Sequence, residues 1–276
     1  MIAEALCETV QILAMVFVLM TVIEYFELRT QRRVSRWMTR EPLRQYLLAS
    51  FLGATPGCVG AFACVSLYVH GFLSMGAITA CMISTSGDEA FVMLAKFPLV
   101  ALVLFILLFV LGVLGGFLMD SIVRRFGITK DKECVIEVHR LERARARHRH
   151  FMKEHVFEHI IKQHLPKLFA WVFGALLVIH LIPNLESTIS HLPTPMLIFS
   201  AAVVGLVPGS GPHIPFVLLF ADGTIPFSVL LTSSVVQDGH GMLPLLSYTM
   251  RDSAIVKAFN LVYGLLVGTV AALVFG

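Results

Sequence analysis

The sequence predicts an all-α integral membrane protein made of two inverted-topology repeats, about five membrane segments each, with broken or re-entrant helices at the centre. Three observations carry that expectation: the composition, a match of the chain to itself, and the placement of its basic residues. Of 276 residues, 57% are hydrophobic and 14% charged, whereas an ordinary soluble domain has about a quarter charged. Mean hydropathy is +0.82. Apolar runs at 9–25, 99–119, 168–182 and 258–275 are each long enough, or nearly so, for a helix to cross about 30 Å of hydrocarbon. The first run follows Glu4 and Glu8 rather than basic residues, so it reads as a retained helix and not as a cleavable leader.

The self-match appears at an offset of 152 positions. "GATPGCVGAFACVSLYVHG" at 53–71 falls on "GLVPGSGPHIPFVLLFADG" at 205–223. Gly53, Pro56, Gly57, Val65, Leu67 and Gly71 meet identical residues. Without a gap, "STSGDEA" at 84–90 falls on "VQDGHGM" at 236–242, where Gly87 meets Gly239. The flanking apolar runs pair as well: 9–25 with 168–182, and 99–119 with 258–275. The expected organisation is a first transmembrane repeat over 1–121, a basic, His-rich linker over 122–166, and a second repeat over 167–276.

Charge placement orients the halves. Of 21 Lys and Arg, six lie in 29–44 and twelve in 124–167, leaving only Lys96, Arg251 and Lys257. The positive-inside rule puts both basic stretches in the cytoplasm. The first repeat then starts outside and the second inside, with both chain termini outside, the layout of many secondary transporters. A bacterial inner membrane is the expected location. Topology accounts for the basic residues without nucleic acid. In the linker, His155 and His159 lie at i, i+4 beside Glu158, a spacing able to hold a metal, but a solvated, His-rich helix face is the preferred reading. The five cysteines show no C-x-x-C spacing and read as packing residues.

Between the outer runs of the first half, four short pieces are expected at roughly 45–55, 58–70, 73–85 and 88–97, each too short to span alone. The breaks fall at Pro56-Gly57, Gly71 and Gly87, and again at Pro208-Gly209 and Gly239. Unwound backbone at membrane depth survives only inside protein or beside a water-filled cavity, so these breaks mark a buried site. The second breaks offer Ser84, Ser86, Asp88 and Glu89 in one half and Gln237, Asp238 and His240 in the other. The offset sets Asp88 opposite His240 and Ser86 opposite Asp238. Intramembrane carboxylates are costly and mark ion or substrate paths. Asp88, Glu89, Asp238 and His240 form the expected ligand set, with oxygen and nitrogen donors that suit manganese, iron, zinc or cobalt better than copper(I). The competing expectation is that they cap short helices, Asp88 as an N-cap. The first breaks add Thr55, Cys58, Ser210 and His213. His213 is either a ligand or a packed histidine. His70 and Asp222, each before a glycine, read as turn residues. His180 and Glu24, near helix ends, are weaker candidates.

The paired segments "GATPGCVG…STSGDEA" and "GLVPGSGPH…QDGHG" resemble a family of ten-helix heavy-metal exporters, whose members are described as manganese transporters or arsenic-efflux-like permeases. The likeness spans nearly all of the chain except the linker. It implies ten membrane segments, five per half, and site roles for Asp88, Glu89, Asp238, His240 and His213.

The function expected is secondary export of a divalent metal, manganese favoured, by alternating access. The metal is cargo, not cofactor. Ser84, Ser86, Gln237 and Ser210 would be auxiliary oxygens, and a proton or another coupling ion would exchange at His240 or an acid. The lipid bilayer is a partner, and a homodimer is compatible with this. No nucleotide-binding motif is present, and no catalysis is expected. An oxyanion or small-carboxylate permease is the alternative, disfavoured by the lack of Lys and Arg at both breaks. An intramembrane lipid-phosphate enzyme ranks last, because such sites recruit arginine.

Overall fold

The computed structural model describes residues 41–69, 71–129 and 191–275, and positions 6, 7, 9, 10, 13, 14, 17, 18, 166, 169, 170, 173 and 174 of two flanking stretches. Glu24, His70, His155, Glu158, His159, His180 and most of the linker lie outside the described residues. The described residues are helical, with no strand among them. In the first half they form α1 (Pro42–Ala54), α2 (Val59–Val69), α3 (Met75–Ser84), α4 (Glu89–Lys96) and α5 (Pro98–Phe126). In the second they form α6 (Thr194–Gly205), α7 (Ile214–Ala221), α8 (Phe227–Val236), α9 (Met242–Tyr248) and α10 (Met250–Phe275). Short 3-10 turns, Gly211–His213 and Gly239–Gly241, precede α7 and α9.

The four short pieces of the first half thus appear as α1 to α4, within a few residues of the expected bounds. Local chemistry explains their ends. Proline opens α1 and α5 at the first turn, where the missing N–H costs nothing. Ser74 caps α3 by accepting from the Ala77 amide at 3.0 Å. Gly127 ends α5 in the left-handed conformation, with the Ile128 amide donating to the Val123 carbonyl at 3.0 Å. Positive-φ glycines mark the remaining breaks in pairs 152 residues apart: Gly57 and Gly209 at 104° and 109°, Gly71 and Gly223 at 77° and 74°, Gly87 and Gly239 both at 53°.

Packing follows the same pairing. α3 packs between α1 and α5, and α8 packs between α6 and α10. The short helices cross over: α2 lies on α9, and α4 on α7. The cores mix the halves accordingly. One joins Phe91, Met93 and Leu104 to Leu218, Val229 and Leu230. The other joins Tyr46, Cys64 and Met82 to Met242, Leu245 and Val256. α5 and α10 are long and apolar enough to cross a bilayer. On α5, Leu99, Leu102, Val103, Ile106, Val110 and Leu114 stay exposed, at the spacing of one outward helix face.

Two buried carboxylates brace the bundle. Asp120 on α5 accepts from the Tyr46 hydroxyl at 2.6 Å and from the Gly76 amide in the first turn of α3 at 2.6 Å, where a negative charge is favoured. Asp252 on α10 accepts from the Tyr68 hydroxyl of α2 at 2.6 Å. Tyr46→Phe strands one oxygen of a buried carboxylate and should cost about 1–3 kcal/mol. Chemical unfolding of the purified protein in detergent measures this, and an unchanged midpoint would show that water replaces the phenol.

Candidate functional site

The second breaks of the two halves meet. A Cβ built on Gly87 would lie 3.4 Å from the Gly239 Cα, and one built on Gly239 would lie 3.5 Å from the Gly87 Cα. Cross-half hydrogen bonds hold the contact. The Asp88 amide donates to the Ser210 hydroxyl at 3.2 Å. The Gln237 side-chain amide donates to the Thr85 carbonyl at 2.8 Å and to Glu89 Oε1 at 3.1 Å, and its own oxygen accepts from the Gly239 amide at 3.1 Å. The first break joins as well, because the Gly57 amide donates to the Gly87 carbonyl at 3.2 Å.

Three metal-binding side chains converge at this crossing. The Cys58 thiol donates to Asp88 Oδ1 at 3.2 Å and lies 3.3 Å from His240 Nδ1. His240 Nδ1 lies 3.7 Å from Asp88 Oδ2. Asp88 stands at the N-cap of α4 but makes no side-chain cap bond, so its carboxylate serves the cluster instead. A tetrahedral ion bonded at about 2.0 Å to nitrogen or oxygen and about 2.3 Å to sulfur sets its ligand atoms roughly 3.3–3.6 Å apart. The observed triangle is close to that. Cys58 is buried and the His240 side chain is 26% exposed, so the cluster has an approach from one side.

A family model, ArsP_2, described as "Putative, 10TM heavy-metal exporter", matches residues 2–201 and 140–275. The chain belongs to this family. The exporter family is one of multi-span membrane proteins, so the chain is an integral membrane protein, and in coarse terms a membrane metal transporter. That description names a transporter and not an enzyme. No curated protein and no solved structure matches this family member.

The structure brings Asp88 and His240 together as expected from the sequence and arranges the other candidates differently. Cys58, named among the first-break residues although the cysteines as a group read as packing, belongs to the cluster. Its only sequence signal is its place just after Pro56-Gly57. Cys64 and Cys81 are buried packing residues as expected. Glu89 is buried beside the cluster with Oε1 on Gln237, and its Oε2 has no hydrogen-bond partner. Asp238 points elsewhere, to Lys257 and to Asn260 Nδ2 at 2.6 Å. A basic residue therefore does reach the second break, contrary to the expectation from local sequence, because α10 folds back on it. Ser84 donates to the Ala80 and Cys81 carbonyls of its own helix, and Thr55 donates to the Leu52 carbonyl. The Ser86 hydroxyl is buried without a hydrogen-bond partner. His213 is fully buried with Nδ1 3.1 Å from the Ser233 hydroxyl, and its Nε2 has no hydrogen-bond partner. Asp222 is exposed at the end of α7, next to the left-handed Gly223, as a turn residue should be.

Proposed function

We propose that the chain is a secondary active transporter that exports a divalent transition-metal ion by alternating access, with Cys58, Asp88 and His240 as its binding site. The carrying observation is the triangle of one thiol, one carboxylate and one imidazole at ion-coordinating separations, placed where interrupted helices from both halves cross. Glu89, Gln237 and Ser210 position the site, and the Ser86 hydroxyl supplies a further oxygen.

An inverted repeat over 1–121 and 167–276, joined by a cytoplasmic linker with both termini outside, is the architecture that goes with this function. The glycine pairs at matching φ support it. So do hydrogen bonds between residues 152 apart, Gln237 to Thr85 at 2.8 Å and Tyr263 to Leu111 at 3.1 Å. Contacts between equivalent residues are what a pseudo-two-fold axis produces, and two halves related in this way rock about a central site.

The thiol moves the expected cargo away from manganese, which prefers oxygen donors, toward zinc, cobalt or cadmium. An ion entering the triangle displaces the proton that Cys58 shares with Asp88, so binding releases protons and a pH gradient can drive export. In reconstituted vesicles, cadmium and zinc should compete with labelled cobalt at lower concentrations than manganese does, and an acidic receiving side should speed transport. Better competition by manganese would remove Cys58 from the site. The oxyanion alternative gains Lys257 but loses its force, because Asp238 neutralises that charge.

A further inference from the structure

The second half holds a polar cluster that the metal triangle does not use. Asp238 is fully buried and both its oxygens meet protein groups. Lys257 Nζ pairs with one of them and also donates to the Gly205 carbonyl at 2.8 Å. Gly205 ends α6 at the break, where the last carbonyls lack intrahelical partners and carry the negative end of the helix dipole. Asn260 sits one turn beyond Lys257 on α10, so the two share a face. Its amide nitrogen holds Asp238, and its buried oxygen has no hydrogen-bond partner. The ammonium therefore rests between a carboxylate and a main-chain carbonyl at a helix C-terminus, and the Asn260 amide nitrogen braces the other oxygen of that carboxylate. The two groups that hold it are hard oxygen donors, the kind that coordinate small monovalent cations in broken-helix transporters.

We infer that the Lys257 ammonium is a built-in cation filling a second, oxygen-lined cation site between α6, the Gln237–Gly239 turn and α10, and that a hard monovalent cation of sodium's size takes its place when the ammonium is removed. The tethered charge lets Asp238 stay ionised inside the protein without drawing a co-ion from solution. Lys257→Ala exposes that dependence. It leaves a buried carboxylate with no counter-charge, together with a vacancy large enough for a small cation.

The test compares thermal unfolding of the purified full chain in sodium chloride and in the chloride of a bulky organic cation at equal ionic strength. The wild type should melt alike in both. Lys257→Ala should melt lower in the organic salt and rise by about 5 °C or more as sodium saturates. Lys257→Ala/Asp238→Asn should lose the sodium response. A Lys257→Ala protein equally unstable in every salt, or unrecoverable in all of them, would reduce the pair to an ordinary ion pair and overturn the inference. A sodium response in the wild type would overturn it too. Metal flux that becomes sodium-dependent in Lys257→Ala rests in addition on the transport function proposed above. A sodium-dependent melt with no metal flux in either protein would sink that function and leave the cation site standing.

Discussion

Asp88→Asn should lower metal affinity by about 100-fold or more and abolish export. The carboxylate is the anionic member of the triangle, and it also accepts the thiol proton of Cys58. Even residues that merely orient a metal ligand are worth about 10–100-fold in affinity, so removing the negative charge of a direct ligand reaches the upper end or beyond. Cys58→Ser and His240→Ala should each bind cobalt at least about tenfold more weakly. Cys58→Ser should also remove the near-ultraviolet absorption of a cobalt–thiolate bond. Glu89→Gln is the discriminating control. The sequence places Glu89 among the ligands, whereas the structure holds it against Gln237, 3.1 Å away. Glu89→Gln should therefore cost about 10-fold, the lower end for a residue that only orients the site, and less than the loss of a direct ligand. Binding that survives Cys58→Ser unchanged while failing in Glu89→Gln would restore an all-oxygen-and-nitrogen site. In cells lacking the protein, the wild type should lower metal content and Asp88→Asn should not.

Gly87→Ala should destabilise the protein by about 2–5 kcal/mol, from two causes that add. A φ of +53° costs a residue with a Cβ about 1–2 kcal/mol, and overpacking a tight interior costs about 1–3 kcal/mol. The new methyl would collide with the Ser210 hydroxyl, which holds the Asp88 amide from the other half. Gly87→Ala/Ser210→Gly relieves the collision but keeps the backbone strain, so it should recover part of the loss. Gly239→Ala carries the same strain, but its Cβ meets only ordinary contacts near 3.5 Å, so it should be the milder single change. Unfolding in detergent ranks the three variants. Equal losses for Gly87→Ala and Gly239→Ala would mean that the crossing is looser than the contact distances imply.

What is local in this protein was legible in its sequence. Glycine, proline and capping serine act on their own neighbours, so the ends of α1 to α4 fell close to where these residues stand. The offset of 152 brought Asp88 and His240 together on paper because equivalent breaks carried them, and in the structure they are 3.7 Å apart. Other contacts depend on which helix folds onto which, and no local pattern encodes that. Cys58 stands in the first break, where nothing local marks its thiol as a ligand rather than a packing group, and it joins the cluster because the start of α2 packs against the second break of the other half. Lys257 and Asn260 face Phe105 and Leu108 at the offset, so the internal match gave no warning that α10 would bring a cation to Asp238. The sequence by itself therefore determined the helical class, the membrane setting and the places where helices break, since each follows from side-chain chemistry within a few residues. Only the tertiary structure decided which polar groups share a site, because buried charge must be satisfied by whatever group packing brings within reach, however far away it lies in the chain.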